Sequence, residues 1–146
     1  MKNIFGEIAV LFSYPKHLVF FIARLVIAYG FAMPALLKLN DMTATAKWFE
    51  SISIPFPIFT AYLVSGLETI GIVLLILGFF TRQISIMLAL IMIGAMLFVH
   101  APNGFSVADN GIEIPLYYLS FLLLFATFGA GKYSLDSLIF KDGNHE

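Results

Sequence analysis

PIFTAYLVSGLETIGIVLLILGFF, residues 57–80, decides the fold: it is almost wholly apolar, and its one charged side chain is Glu68. A bilayer core about 30 Å thick is crossed by roughly twenty apolar residues wound as a helix, and this run is long enough to do so. Before it, Pro55 and Pro57 force extended backbone. After it, Gly78-Phe79-Phe80-Thr81-Arg82 makes a tight turn, so the next apolar run, Ile84 to Val99, returns as the second arm of an antiparallel hairpin. Working outward, Leu18 to Leu37 is a further run broken only by Arg24, and Ile114 to Ala130 is another with no charge. The two later runs are short, and reach across by borrowing Gln83, His100 and Glu113 at their ends.

Composition agrees with this pattern. Of 146 residues, 60% are hydrophobic and 12% are charged, whereas soluble domains are nearer half apolar and a quarter charged. As helices of a soluble protein, these runs would leave too few polar faces to solvate the fold. A net charge of −1 offers no basic surface for nucleic acid. With no cysteine there is no disulfide, thiolate metal site, iron–sulfur ligation or thiol cycle carried by this chain alone. His17, His100 and His145 lack paired ligand spacing, so no metal site is expected, and Met87, Met92 and Met96 suit packing better than copper.

The expected fold class is all-α: a membrane-spanning antiparallel four-helix bundle, with spans at about 18–38, 57–80, 83–100 and 113–130 inside a domain of residues 18–131. Residues 1–17 form an N-terminal segment without the ordered features of a signal peptide, and 132–146 form a tail. Between the first two spans, Met42, Ala46, Phe49 and Ile52 recur at helical spacing beside Trp48, as in a short amphipathic helix lying at the interface. Lys2, Lys16, Arg82, Lys132 and Lys141 fall on one side, against Lys38 and Lys47 on the other. That asymmetry places both termini in the cytoplasm.

Charges inside hydrocarbon turn toward a bundle interior and find partners. Arg24 and Glu68 are the two such residues, and an intramembrane ion pair between them is expected. Polar stripes run Arg24–Ala28–Phe31–Ala35–Lys38, Ala61–Ser65–Glu68–Ile72, Ser85–Ala89–Ile93–Met96–His100 and Glu113–Tyr117–Ser120–Leu124–Thr127. If the four stripes meet, Lys38, Glu68, His100, Glu113 and Tyr117 gather in the outer half, with Trp48 as a lid. Such a pocket suits a small amphipathic molecule such as a quinone head group, with imidazole and carboxylate to pass protons. The plainer reading is that Lys38, His100 and Glu113 mark helix ends, Trp48 and Tyr117 belong to an aromatic belt, and Arg24 snorkels.

Arg24, then Gly30-Phe31 and Lys38; Glu68, then Gly71 and the run Leu74 to Arg82; His100 and Glu113; and the close Gly129-Ala130-Gly131-Lys132-Tyr133-Ser134-Leu135-Asp136 stand in an order and spacing that resembles the DoxX family of small bacterial membrane proteins. Ala35 departs from the glycine expected three residues before the lysine. The resemblance implies a four-helix bundle in the bacterial cytoplasmic (inner) membrane and a link to redox work, since relatives include a membrane subunit of a thiosulfate:quinone oxidoreductase. Three functions compete. One is a redox-linked subunit binding a quinone-like molecule, with no covalent cofactor and with a soluble or membrane partner protein delivering electrons. The others are a structural or assembly subunit, alone or as a homo-oligomer, and a carrier of a small solute.

Overall fold

A computed structural model describes Glu7, Val10 and residues 15–140. The remainder of segment 1–17, and 141–146 with Lys141 and His145, lie outside the described residues. Within them every regular element is helical: α1 Lys16–Asn40, α2 Met42–Ser51, α3 Pro57–Leu77, α4 Thr81–Ala95, α5 Glu113–Phe128 and the single turn α6 Leu135–Ile139. The α4 rod continues through a π turn, Met96–His100, and a 3₁₀ turn, Ala101–Asn103. Three helices, Lys16–Asn40, Pro57–Leu77 and Thr81–Asn103, are long and apolar enough to cross a membrane. The fourth apolar helix, Glu113–Phe128, has 16 residues.

Local chemistry sets the boundaries. Asp41 caps α2 by accepting the Ala44 N–H at 2.8 Å, which satisfies one of the first-turn donors. Pro57 occupies the first turn of α3, where a missing N–H costs nothing. Gly78 ends α3 in the left-handed region at φ +65°, and the Phe79 N–H reaches back to the Leu74 carbonyl at 3.0 Å. Phe80, at φ +48°, precedes α4 and brings no capping side chain of its own. The cap comes from the far end of the chain, because Asp136 accepts the backbone N–H groups of Phe80 at 2.7 Å and Thr81 at 2.9 Å.

Helix α1 packs on α3, α2 lies across α3, and α4 packs extensively on α5. The main core joins Ile27, Ala28, Phe31, Leu75, Ile84, Leu88, Ala89, Met92, Leu122 and Phe125. A smaller cluster of Ala46, Phe49 and Ala61 fastens α2 to the N-terminal part of α3. Most other large side chains point outward, as expected where lipid and not water is the solvent. The main core forms an apolar layer between two charged centres, Arg24 at one end and Glu68 with Lys38 at the other.

Candidate functional site

Lys38 lies near the end of α1, on the helix face that also carries Arg24, Ala28, Phe31 and Ala35. The latter four are buried. Glu68 lies in the middle of α3, one turn from the buried Ser65. Where the two helices touch, Lys38 Nζ donates to Glu68 Oε2 at 2.6 Å and to Oε1 at 2.9 Å. The Glu68 side chain is 3% exposed and the Lys38 side chain 17%. A third, longer bond runs from Lys38 Nζ to the Pro34 carbonyl at 3.4 Å. An ammonium group has three protons, so the carboxylate holds the short bonds and the long one is the readiest to be exchanged.

An open groove of about 370 Å³ borders Lys38 and is lined by Pro34, Leu37, Lys38, Ala44, Thr45 and Trp48. Helix α2 forms its outer wall. Thr45 steadies that wall, its hydroxyl donating to the carbonyls of Lys38 at 3.2 Å and Asp41 at 2.9 Å. Thr45 and Leu37 are not legible as site residues from the sequence, where Pro34 reads only as a kink in the first helix. The available signal was that Thr45 lies one turn from the capping Asp41.

The Arg24–Glu68 ion pair is not formed. Glu68 is engaged by Lys38, while the fully buried Arg24 donates to the Leu75 carbonyl at 2.9 Å and to the Tyr133 carbonyl. Asp136 acts on it through its charge, and the Phe21 ring centre lies 5.6 Å away. Depth is the physical reason. Arg24 is level with Leu75, seven residues and so roughly 10 Å along α3 from Glu68, whereas Lys38 is already at Glu68's level. Arg24 does not snorkel to the headgroups, because the chain folds its own carbonyls and Asp136 over it.

The wider gathering is also divided. Lys38, Glu68 and Trp48 come to one place, but His100, Glu113 and Tyr117 neither bond to that pair nor line the groove. His100 Nδ1 lies 2.8 Å from the Asn110 carbonyl, which accepts its proton. Glu113 accepts the Tyr117 hydroxyl at 2.9 Å through Oε1 and the Val107 N–H at 2.9 Å through Oε2. These groups brace the connection between α4 and α5. The face of α5 that turns inward carries Pro115, Leu122 and Phe125, while Tyr117, Ser120, Leu124 and Thr127 are exposed. Ser120 and Thr127 donate to carbonyls four residues back, at 2.9 and 2.8 Å, so their hydroxyls face outward without losing a bond.

The DoxX family profile matches residues 19–101, which include Arg24, Lys38, Glu68 and His100. A Haemophilus influenzae protein of uncharacterized function is 36% identical over 124 residues, covering 82% of both chains. "Putative oxidoreductase CatD" of Bacillus subtilis is 30% identical over 118 residues, covering 81% of this chain and 84% of its own. "Inner membrane protein YphA" of Escherichia coli is 25% identical over 130 residues, covering 86% and 93%. No solved structure matches the chain. An all-helical chain with three membrane-length apolar helices and this match over more than half its length is a membrane protein of the DoxX family.

Proposed function

We propose that the four apolar helices cross the bacterial inner membrane as an antiparallel bundle with both termini in the cytoplasm, and that the protein is a redox-linked subunit that binds a quinone-like or other small amphipathic molecule beside Lys38. The observation that carries this reading is the Lys38–Glu68 pair, bonded at 2.6 Å between apolar helices and open on its lysine side to a groove under Trp48. Charges within a span are costly and are associated with function. The residues suit a quinone: an ammonium proton for a carbonyl oxygen, the face of Trp48 for a ring, and Leu37, Pro34 and Ala44 for an apolar tail. Because Glu68 neutralises Lys38, the site favours a neutral acceptor over an anion. A bound quinone would supply the redox chemistry, and a partner protein would deliver electrons, since the chain has no cysteine. The CatD name supports the reading by likeness.

Trp48 is the one tryptophan of the chain, so its fluorescence tests the proposal. In mild detergent, a short-chain ubiquinone or menaquinone analogue should quench it saturably, and Lys38→Met with Glu68→Met together should abolish the saturation. Linear, unsaturable quenching in both proteins overturns the proposal.

A second reading is favoured by the enclosure of Arg24. A chain that holds both Nη groups of a buried arginine with its own carbonyls also suits an assembly subunit without chemistry. In that case partner capture, and not quinone binding, would respond to the same variants.

A further inference from the structure

The Lys38 groove offers hydrogen-bond donors and few acceptors. Glu68 is the acceptor of the pair, but it stands behind Lys38. Its side chain is 3% exposed against 17% for Lys38, and Lys38 Nζ engages both carboxylate oxygens, at 2.6 and 2.9 Å. Glu68 does not line the groove. What faces the groove is an ammonium, which donates three protons and accepts none. Trp48 adds an indole N–H, again a donor alone. Pro34 has no N–H, and its carbonyl already receives Lys38 Nζ at 3.4 Å. Thr45 is buried and directs its hydroxyl proton to the carbonyls of Lys38 and Asp41, so it also occupies the Lys38 carbonyl. Leu37 and Ala44 contribute hydrocarbon.

A ring carbonyl and a ring hydroxyl therefore meet this groove differently. A carbonyl oxygen takes the third ammonium proton in place of the Pro34 carbonyl, and brings no proton that needs a partner. A hydroxyl brings a proton of its own, which would point at hydrocarbon or at other donors. A donor left without an acceptor in such a setting costs more than a typical hydrogen bond contributes.

We infer that the groove selects the oxidised, carbonyl form of its ligand over the hydroxyl form, quinone over quinol. This rests on the quinone reading above and adds which redox form is held. Lys38 and Glu68 carry the selection by their order: the donor stands at the groove and the acceptor is shut away behind it. A preference for the oxidised form also lowers the two-electron midpoint potential of the bound ligand, by about 30 mV for each ten-fold.

The test is isothermal titration calorimetry of the full chain in mild detergent, with decylubiquinone and, under argon, with decylubiquinol. The quinone should bind at least about ten-fold more tightly. Ala44→Glu sets a carboxylate acceptor on the groove wall, at an exposed position in the first turn of α2 where a negative charge suits the helix. It should raise quinol affinity and lower quinone affinity, so that the preference shrinks or reverses. Equal affinities in the native protein, or tighter binding of the quinol, overturn the inference and leave the quinone reading standing. An unchanged ratio in Ala44→Glu also overturns it, because the shortage of acceptors would not be the cause. Binding of neither form overturns the quinone reading and this inference with it.

Discussion

Asp136 accepts the backbone N–H of Thr81 at 2.9 Å, so a carboxylate 55 residues away caps the first turn of α4. The same residue donates its own N–H to the Gly78 carbonyl at 2.9 Å. One residue thus closes the α3–α4 turn, sets a negative charge at the positive end of a helix and acts through that charge on Arg24. Asp136→Ala should lower stability in detergent by about 2 kcal/mol or more, a cap together with part of Arg24's compensation. Asp136→Asn keeps one acceptor oxygen and should lose less. Thermal unfolding of the two variants side by side checks the order.

Gly78 is tested by its missing side chain. A Cβ there would stand 2.2 Å from Arg24 Nη1 and 2.5 Å from Ser134 Cβ, at a backbone φ of +65°. Gly78→Ala should therefore destabilise by more than the roughly 1 kcal/mol of left-handed strain alone. Gly66 and Gly94 have nothing within 4 Å of such a Cβ, so alanine at either should be neutral or slightly stabilising. Equal melting temperatures for all three alanine variants would contradict the packing around Arg24.

Lys38 and Glu68 should behave as a unit. Removing one partner leaves a charge in an apolar setting and should cost about 3 kcal/mol, while replacing both with methionine should cost far less. A double-mutant cycle on unfolding in detergent reads the coupling. Additive losses would mean that the bond at 2.6 Å does not organise this end of α1 and α3.

Glu113→Gln and Tyr117→Phe should leave quinone-analogue quenching of Trp48 unchanged, because neither residue lines the groove. Glu113→Ala, which loses the acceptor for Val107, should instead raise hydrogen exchange and proteolysis across residues 104–112. A shift in ligand affinity with no change in the loop would place Glu113 at the site after all.

Period and composition made the helical, membrane-borne character readable, because each apolar run had to satisfy its own backbone. Side-chain pairing was less readable. Arg24 and Glu68 were matched as the two charges lying inside spans, but Lys38, at a span end, had the same helix face and the right depth. The stripe on α5 misled because Ser120 and Thr127 can bond within their own helix, so a polar stripe did not have to be an inward one. Asp136 as a distant cap was hidden by distance along the chain: the Ser-Leu-Asp ending was visible, but which turn it would meet was not.

The layer of Phe31, Leu75, Leu88, Leu122 and Phe125 also has an electrical consequence. Each of these residues is at most 2% exposed, and together they stand between the two charged centres. A hydrated ion travelling from one centre to the other would have to shed its water among packed side chains that are almost all hydrocarbon. The protein can hold two charged centres at different levels of its bundle without joining them by a polar path, so its presence should add no ion leak to the membrane around it.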